Sequence, residues 1–435
     1  MEPMLTAGFG LVLLFALIAL HVPIGPAMGL AGVTGFAVLA GLGPALAIPG
    51  IEAVSAFRNL DLGVIPLFVL MGSLASVSGL SDDLYALVCA FLGHRRGGLA
   101  VATIGGSAAF GAVCGSSIAT VATMTRVALP AMVARGTERG FAAGTIAAGG
   151  TLGVVIPPSV LLVIYALLAD QFVLAVFAAA IVPGLIAALM QMATAALYAR
   201  LDPGAAPALE RLDWRARLAA VRRAWAVLIL AAILSGALYG GVVTVTEAAA
   251  LGAAAAFLLA LLRRRLSLDR LRSVAEETAV SSGMIYVVII GAFTFSYFLA
   301  VSGLPEALVE GIEGLDLPPL AVILAFYLMY LALGAVFDPV AAMVVTLPFV
   351  LPVVEALGYD PVWWGVMLVM VSALGMITPP IGINVFVLKG MAPELSLGAI
   401  YRGVLPFLGA DLVRVVLLTL FPVLATWLPR LMGLM

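Results

Sequence analysis

Apolar runs separated by short polar segments extend along the whole chain. Runs of about 18 residues or more are long enough to cross roughly 30 Å of hydrocarbon as a helix. Strands of a membrane barrel would instead be about ten residues long with alternating polarity. The pattern therefore predicts an all-α polytopic membrane protein. The predicted membrane segments are residues 4–20, 23–41, 63–80, 98–134, 138–169, 171–199, 224–240, 244–262, 274–302, 317–354, 361–388 and 403–428.

The composition supports this interpretation. Hydrophobic residues make up 64% of the chain and charged residues 10%, whereas a soluble domain has about 25% charged residues. The opening stretch MEPMLTAG lacks the basic leader of a signal peptide, so we expect the first run to be a membrane span. No stripe of basic and aromatic residues indicates nucleic-acid binding, and Cys89 and Cys114 have no metal or disulfide spacing.

Two of the segments, 98–134 and 317–354, are too long for one crossing and are interrupted by Gly, Pro and polar residues. We expect each to be a re-entrant helix–turn–helix hairpin that enters and leaves the membrane on the same side. The segments that follow them, 138–169 and 361–388, contain the stretches GGTLGVVIPPSV and SALGMITPPIGIN. Because proline interrupts helical hydrogen bonding, both segments are predicted to be broken helices. Their freed backbone groups would have to face protein or a water-filled cavity.

Loop charges predict the orientation of the two hairpins. Residues 200–223 and 263–272 are rich in arginine, which places them in the cytoplasm by the positive-inside rule. The acidic residues 304–316 lie one span further on and are expected outside. The basic residues 93–98 precede the first hairpin, so that hairpin should enter from the cytoplasm and the second from outside. Counting back three spans from residue 93 puts the N-terminus outside.

An internal repeat accompanies this arrangement. Inverted repeats with paired broken helices are typical of secondary transporters. A constant offset of 222 residues maps Ser116 onto Asp338, Leu129–Pro130 onto Leu351–Pro352, Leu152–Gly153 onto Leu374–Gly375, and Pro157–Pro158 onto Pro379–Pro380. The expected parts of the chain are N-terminal scaffold spans (1–97), a first transport repeat (98–199), a basic loop with further scaffold spans (200–302) and a second transport repeat (303–435).

The broken helices predict two sodium sites. Freed carbonyls and the C-terminal ends of half-helices suit Na⁺, whereas half-helix N-termini attract anions. The alternative is that each proline pair is a kink used only for packing, and Asp338 an acid beside a wet loop. The expected ligands of the first site are Ser116, Ser117, Gly153, Ile156 and Pro157. Those of the second site are Asp338, Gly375, Thr378 and Pro379.

Polar residues near the same positions are candidates for binding substrate. The candidates are Ser116, Ser117, Thr120, Arg126 and Asn384. The serines could instead be packing residues, which are common between membrane helices. Arg126 either pairs with a carboxylate or extends to the cytoplasmic surface, and Asn384 either binds substrate or caps the resumed helix. Hydroxyls, amides and half-helix N-termini favour a compact organic acid such as a dicarboxylate or keto acid.

Four motifs carry a resemblance to a known family. GHRRGGLA, CGSSIATVATMTRVALPAM, AAGGTLGVVIPPS and GMITPPIGINVFVLKG resemble the large, DctM-type membrane subunit of tripartite ATP-independent periplasmic (TRAP) transporters. The resemblance implies a sodium-driven elevator in the bacterial inner membrane, of the kind found in the ion transporter superfamily. It also implies a periplasmic, DctP-type binding protein that delivers an organic acid, and a small four-span, DctQ-type subunit. Na⁺ is then the coupling ion, with no other cofactor.

Two other functions compete with this interpretation. A stand-alone sodium–anion symporter could share the re-entrant architecture, and uptake without partner proteins would distinguish it. An intramembrane enzyme would need a nucleophile–base pair or a metal cluster, and with only two histidines in the chain no such arrangement stands out. We therefore expect a transporter and not an enzyme.

Overall fold

The structure is a computed structural model that describes residues 3–208 and 210–435. Regular secondary structure in these two ranges is helical. The first half contains α1 (Pro3–Ala19), α2 (Ile24–Ala40), α3 (Leu42–Arg58), α4 (Val64–Val77), α5 (Leu80–Leu92), α6 (Gly98–Cys114), α7 (Ser117–Ala134), α8 (Arg139–Val155), α9 (Val160–Leu168) and α10 (Val173–Leu201). The second half contains α11 (Trp214–Tyr239), α12 (Val245–Leu262), α13 (Leu268–Ser302), α14 (Leu304–Glu313), α15 (Pro319–Val336), α16 (Pro339–Ala356), α17 (Pro361–Gly375), α18 (Ile383–Met391), α19 (Leu397–Leu420) and α20 (Val423–Leu431).

The helices confirm a polytopic all-α membrane protein. Among the described residues, eight helices are long and apolar enough to cross a membrane, or up to ten if each of two bent pairs counts as one span. Each of the twelve predicted segments coincides with at least one helix. Three further helices, α3, α5 and α14, were not predicted. Helices α3 and α5 lie before residue 93 and were not included in the count of three spans. The external N-terminus stays a prediction.

Both long segments are helix–turn–helix hairpins, as predicted. In the first, α6 ends at Gly115, whose φ of +66° suits a residue without a side chain, and Ser116 caps α7. In the second, Phe337 and Asp338 separate α15 from α16. We call residues 115–117 tip 1 and residues 337–338 tip 2. That each hairpin enters and leaves on one side of the membrane stays a prediction.

Both broken helices are also confirmed. The helix axis bends by 40° between α8 and α9, across residues 156–159, which we call break 1. Residues 376–382, which we call break 2, separate α17 from α18. The bonds Pro157–Pro158 and Pro379–Pro380 lie in these breaks and are cis. The arms before the breaks form the centre of the fold, since residues 140–155 of α8 and 362–375 of α17 are all buried.

The internal repeat extends over most of the fold. Adding 222 to the bounds of α7 gives 339–356, the bounds of α16. The same addition carries α2 to 246–262, which matches α12, and α5 to 302–314, which covers α14. It carries α3 and α4 to 264–280 and 286–299, and one helix of 35 residues, α13, spans nearly all of that stretch. The repeat therefore includes helices that the sequence analysis assigned to scaffold.

Close backbone contacts fix how the helices cross. A Cβ on Gly291 would lie 2.1 Å from the Gly25 carbonyl oxygen, where α13 packs on α2. A Cβ on Gly144 would lie 2.2 Å from the Gly403 carbonyl oxygen, where α8 packs on α19. Small residues allow such approaches between membrane helices, which explains why glycine interrupts these apolar runs without ending the helices.

Candidate functional site at the hairpin tips and helix breaks

Tip 1 lies directly against the arm that leads to break 1. A Cβ on Gly111 of α6 would lie 2.6 Å from Gly153 Cα, so the two backbones touch where these helices cross. A Cβ on Gly153 would lie 2.7 Å from both Ser116 O and Thr120 Oγ1. The structure therefore brings together three of the residues that sequence analysis singled out, namely Ser116, Thr120 and Gly153.

Hydrogen bonds hold tip 1 and break 1 in this arrangement. The Thr120 hydroxyl donates to Ser116 O at 2.7 Å, and the Ala119 amide donates to Ser116 Oγ at 3.4 Å. Across the contact, the Val160 amide donates to Gly115 O at 3.5 Å. Ile156 and Pro157 lie within break 1, whose proline pair is buried. Hydrogen bonding and close packing thus join tip 1 to break 1, and Na⁺ binding between them stays a prediction.

Ser117 points towards the second repeat instead. Its Oγ lies 3.0 Å from Asn384 Oδ1 and 2.8 Å from Asn384 Nδ2. Asn384 Nδ2 also donates to Ala147 O of α8 at 3.2 Å. Both side chains are buried. Ser117 and Asn384 therefore form a polar pair between tip 1 and the helix that follows break 2.

The alternative that Asn384 caps the resumed helix is wrong. The N-cap of α18 is Gly382, which makes no side-chain capping hydrogen bond. The side chain of Asn384 is directed at Ser117 and Ala147 instead. Its amide is therefore committed to a contact between the two repeats, and substrate binding by Asn384 stays a prediction.

Tip 2 repeats the geometry of tip 1. A Cβ on Gly375 would lie 2.6 Å from the carbonyl carbon of Gly334, so α17 and α15 touch as α8 and α6 do. The Gly382 amide donates to Ala335 O at 2.9 Å, and position 382 is position 160 plus 222. In both repeats, the amide at this position of the break thus binds a carbonyl close to the hairpin tip. The donors are related by the offset, whereas the acceptors are not, since Ala335 corresponds to Val113 and not to Gly115.

The predicted ligands of the second sodium site have identified local partners. Asp338 is the N-cap of α16, and its Oδ1 accepts from the amides of Val340 and Ala341 at 2.9 and 3.4 Å. The Thr378 hydroxyl donates to Leu374 O at 2.7 Å. Ser116 and Asp338, which the offset relates, are thus both N-caps. This shared role accounts for a polar residue at both positions, and Na⁺ binding by Asp338 stays a prediction.

Break 2 differs from break 1 in its surroundings. Pro379 and Pro380 are exposed, and Thr378 is half-buried. The hydroxyl of Tyr401 lies 3.0 Å from Pro380 O and 2.7 Å from Ile381 O. Sequence analysis missed this tyrosine because nothing in its own segment indicates which carbonyls it contacts. The contact shows that α19 holds the second break in place.

Arg126 does not lie at either tip. It is nine residues beyond Ser117, or about 13.5 Å along α7, and it is exposed. It lines an open cavity of about 380 Å³ together with Arg265, Arg270 and Asp82. In the part of the chain that the structure describes, none of these three arginines forms an ion pair. The structure therefore separates Arg126 from the polar pair of Ser117 and Asn384.

A buried charged network is a second feature that sequence analysis missed. Asp411 and Arg414 of α19 form an ion pair at 3.0 Å, with side chains 1% and 0% exposed. Both lie in the apolar run 403–428, and charged residues inside a membrane segment are rare and usually functional. Their spacing of three residues, which places them on one helix face, was the signal that could have identified them.

The architecture matches that of a known membrane transporter. It resembles the structure described as "Crystal structure of the Alcanivorax borkumensis YdaH transporter reveals an unusual topology", with a TM-score of 0.65 and 18% identity. The match covers 92% of this chain and 97% of that one. At this identity the likeness concerns the fold alone, and it supports the polytopic all-α fold that the sequence predicts.

The chain belongs to the DctM family, the large permease subunits of TRAP transporters. The family described as "Tripartite ATP-independent periplasmic transporter, DctM component" matches residues 11–424. The C4-dicarboxylate TRAP transporter large permease protein DctM of Pseudomonas aeruginosa is 34% identical over 86% of this chain and 88% of its own length. The isethionate TRAP transporter permease protein DctMQ of Oleidesulfovibrio alaskensis is 33% identical over 95% of this chain and 64% of its own length. These matches confirm the resemblance seen in the motifs.

Proposed function

We propose that this permease drives the uptake of a compact organic acid with Na⁺, by an elevator movement in the bacterial inner membrane. A periplasmic binding protein would deliver the acid and a small four-span subunit would flank the permease. The observation that carries the proposal is the duplicated contact of a hairpin with a helix break. In the first repeat the Val160 amide donates to Gly115 O, and in the second the Gly382 amide donates to Ala335 O. The pair of Ser117 and Asn384 connects the two repeats.

The duplicated contact supports one Na⁺ site in each repeat. Interrupted helices present carbonyl oxygens that are not used within the helix, and Na⁺ is bound by such oxygens. In the first repeat, Ser116 and Gly153 contribute oxygens close to break 1. In the second, the Asp338 carboxylate is proposed to act with the oxygens of Gly375 and Thr378. Since Asp338 retains exposure and bonds backbone amides through Oδ1 alone, its Oδ2 is the atom proposed to bind the ion.

The polar pair of Ser117 and Asn384 supports an organic acid as substrate. A hydroxyl and an amide N–H can donate to a carboxylate, and in this proposal the acid takes the place of the bonds that the pair now makes to itself. Na⁺ bound at the neighbouring breaks would add positive charge. Ion and acid should then raise each other's affinity by the same factor, as linkage requires. The relatives named for C4-dicarboxylate and isethionate transport agree with an organic anion.

Reconstituted uptake tests the proposal. The permease is placed in proteoliposomes with the small subunit, and uptake of a labelled C4-dicarboxylate is measured with its binding protein and an imposed Na⁺ gradient. We expect uptake that requires the gradient and rises with Na⁺ with a Hill slope above one. Uptake driven by protons alone would contradict the sodium sites. Uptake that proceeds without the binding protein and small subunit would favour the stand-alone symporter.

A further inference from the structure

A buried ion pair occupies the middle of α19. Arg414 Nη1 lies 3.0 Å from Asp411 Oδ1, and neither side chain is more than 1% exposed. Burying two charges is costly, and an apolar pair of similar volume is often as stable. Stability of the fold alone therefore does not explain why two charged residues occupy these positions.

Gln191 of α10 connects this ion pair to the arm that precedes break 1. Its Nε2 lies 3.4 and 3.3 Å from the two carboxylate oxygens of Asp411. The same nitrogen lies 3.3 Å from Thr151 Oγ1 of α8, and the Thr151 hydroxyl donates to Ala148 O at 2.7 Å. Thr151 is two residues before Gly153, which touches tip 1. The network therefore ends at the last helical turn before break 1.

The helix that carries the ion pair also contacts break 2. Tyr401 reaches the carbonyls of Pro380 and Ile381, and Gly403 packs against Gly144 of α8. Tyr401 and Asp411 are ten residues apart, or about 15 Å along α19. One helix thus contacts break 2 directly, and it contacts the arm of break 1 both by packing at Gly144 and through Gln191.

The network is absent from the equivalent position of the other repeat. The offset of 222 places Ala373 at the position of Thr151 and Val413 at that of Gln191. It places Leu189 and Met192 at the positions of Asp411 and Arg414. The four positions that would form an equivalent network beside the second broken helix are therefore apolar. The fold of a broken helix therefore does not require the network.

We propose that Arg414, Asp411, Gln191 and Thr151 are positioning residues that hold break 1 in the geometry that binds Na⁺. None of them is proposed to touch the ion. Arg414 fixes the Asp411 carboxylate, the carboxylate fixes Gln191, and Gln191 fixes the Thr151 hydroxyl and with it the turn that presents Gly153. The inference rests on the proposed sodium coupling and adds these residues to it.

Sodium titration of the full chain tests the inference. Thermal stability of the purified protein and uptake in proteoliposomes are each measured against Na⁺, with choline replacing it. Thr151→Val keeps the volume and removes the hydroxyl, and it should raise the half-saturating Na⁺ concentration about threefold to tenfold, the effect of one hydrogen bond. Thr151→Ser should restore the wild-type value. The maximal uptake rate at saturating Na⁺ should change little.

Two further variants separate positioning from simple stability. Thr145→Val is the matched control, because Thr145 is equally buried on α8 and its hydroxyl donates to Phe141 O. It should leave the sodium response unchanged. Asp411→Leu with Arg414→Leu removes both charges together, and it should raise the Na⁺ requirement as Thr151→Val does. Adding Thr151→Val to that pair should have no further effect, because the three residues act through one connection.

The outcomes distinguish this inference from the proposed function. If the wild-type protein shows no response to Na⁺, the sodium coupling fails and the inference fails with it. If the wild type responds and Thr151→Val has the same half-saturating concentration as Thr145→Val, only the inference is overturned. A rise for Thr151→Val that serine rescues and the double leucine variant reproduces supports the network.

Discussion

Gly153→Ala is the most direct perturbation of the contact between tip 1 and break 1. The new Cβ would lie 2.7 Å from Ser116 O and from Thr120 Oγ1, distances that real Cβ atoms essentially never show. Because Ser116 O belongs to the backbone, the tip itself must move. Overpacking of this kind costs about 1–3 kcal/mol, and the higher helix propensity of alanine returns up to about 1 kcal/mol. We expect a net destabilisation of about 1–2 kcal/mol.

The displaced tip should also weaken Na⁺ binding. If the substitution destabilises the sodium-bound state by about 1.4 kcal/mol more than the sodium-free state, the half-saturating Na⁺ concentration rises about tenfold. Thermal unfolding measures the first effect, and sodium-dependent uptake measures the second. Gly283→Ala is the control, because a Cβ at Gly283 in α13 would have no neighbour within 4 Å. It should be neutral or slightly stabilising.

The reasoning would be refuted by a clear result. Gly153→Ala with the stability and sodium requirement of Gly283→Ala would mean that the tip does not rest on the break. A loss of stability with an unchanged sodium requirement would show that the contact exists but does not contribute to Na⁺ binding.

Three further predictions concern the pair, the arginine and the topology. Asn384→Leu leaves the Ser117 hydroxyl buried without its partner, so it should lower stability by about 1–3 kcal/mol and raise the KM for substrate. An unchanged KM would show that Asn384 is not part of the substrate site. Arg126→Lys should leave uptake near wild type, because Arg126 is exposed and distant from the tips, and a tenfold loss would instead indicate a planar contact with a carboxylate. Single cysteines at positions 95 and 218 should react only from the cytoplasm and one at 310 only from outside; labelling of 95 and 310 from the same side would contradict the opposed hairpins.

The hairpins and breaks could be predicted because they depend on local chemistry. Gly115 and the two proline pairs located the first tip and both breaks. The constant offset then related the two halves. These signals are contained within a few neighbouring residues, which is why the sequence alone could place them.

The unpredicted helices have weaker apolar patterns. Helix α3 contains Pro49 and Glu52, and α5 begins with Asp82 and Asp83. Neither helix is a candidate span by itself, although α5 forms a bent apolar pair with α4. In α14, Glu306, Glu310 and Glu313 follow helical spacing, so the acidic segment that looked like a loop is an amphipathic helix.

Contacts between distant parts of the chain could not be predicted at all. Ser117 and Asn384 were each identified as polar residues near a tip or break, but 267 positions separate them, and no pattern in either segment names its partner. Gln191 was overlooked for the same reason, since one glutamine in a run of 29 helical residues gains meaning only beside Asp411. Pairing of this kind depends on how the repeats pack.

Asp338 shows how a local role and a functional role can be separated by experiment. As an N-cap it bonds the amides of Val340 and Ala341, and asparagine caps a helix about as well as aspartate. Asp338→Asn should therefore leave the stability within about 1 kcal/mol of wild type while removing the negative charge. If the carboxylate binds Na⁺, the half-saturating Na⁺ concentration should rise sharply.

Asp360 provides the matched control for this variant. It caps α17 through the amides of Val362 and Trp363, at 2.8 and 3.2 Å, in the same geometry, but it lies at the far end of α17 from break 2. Asp360→Asn should therefore keep both the stability and the sodium response of the wild type. If Asp338→Asn behaves like Asp360→Asn, the carboxylate at tip 2 is a cap and nothing more, and the relation between Ser116 and Asp338 reflects helix capping alone. If only Asp338→Asn raises the sodium requirement, the charge at tip 2 serves the ion, because capping has been held constant in both variants.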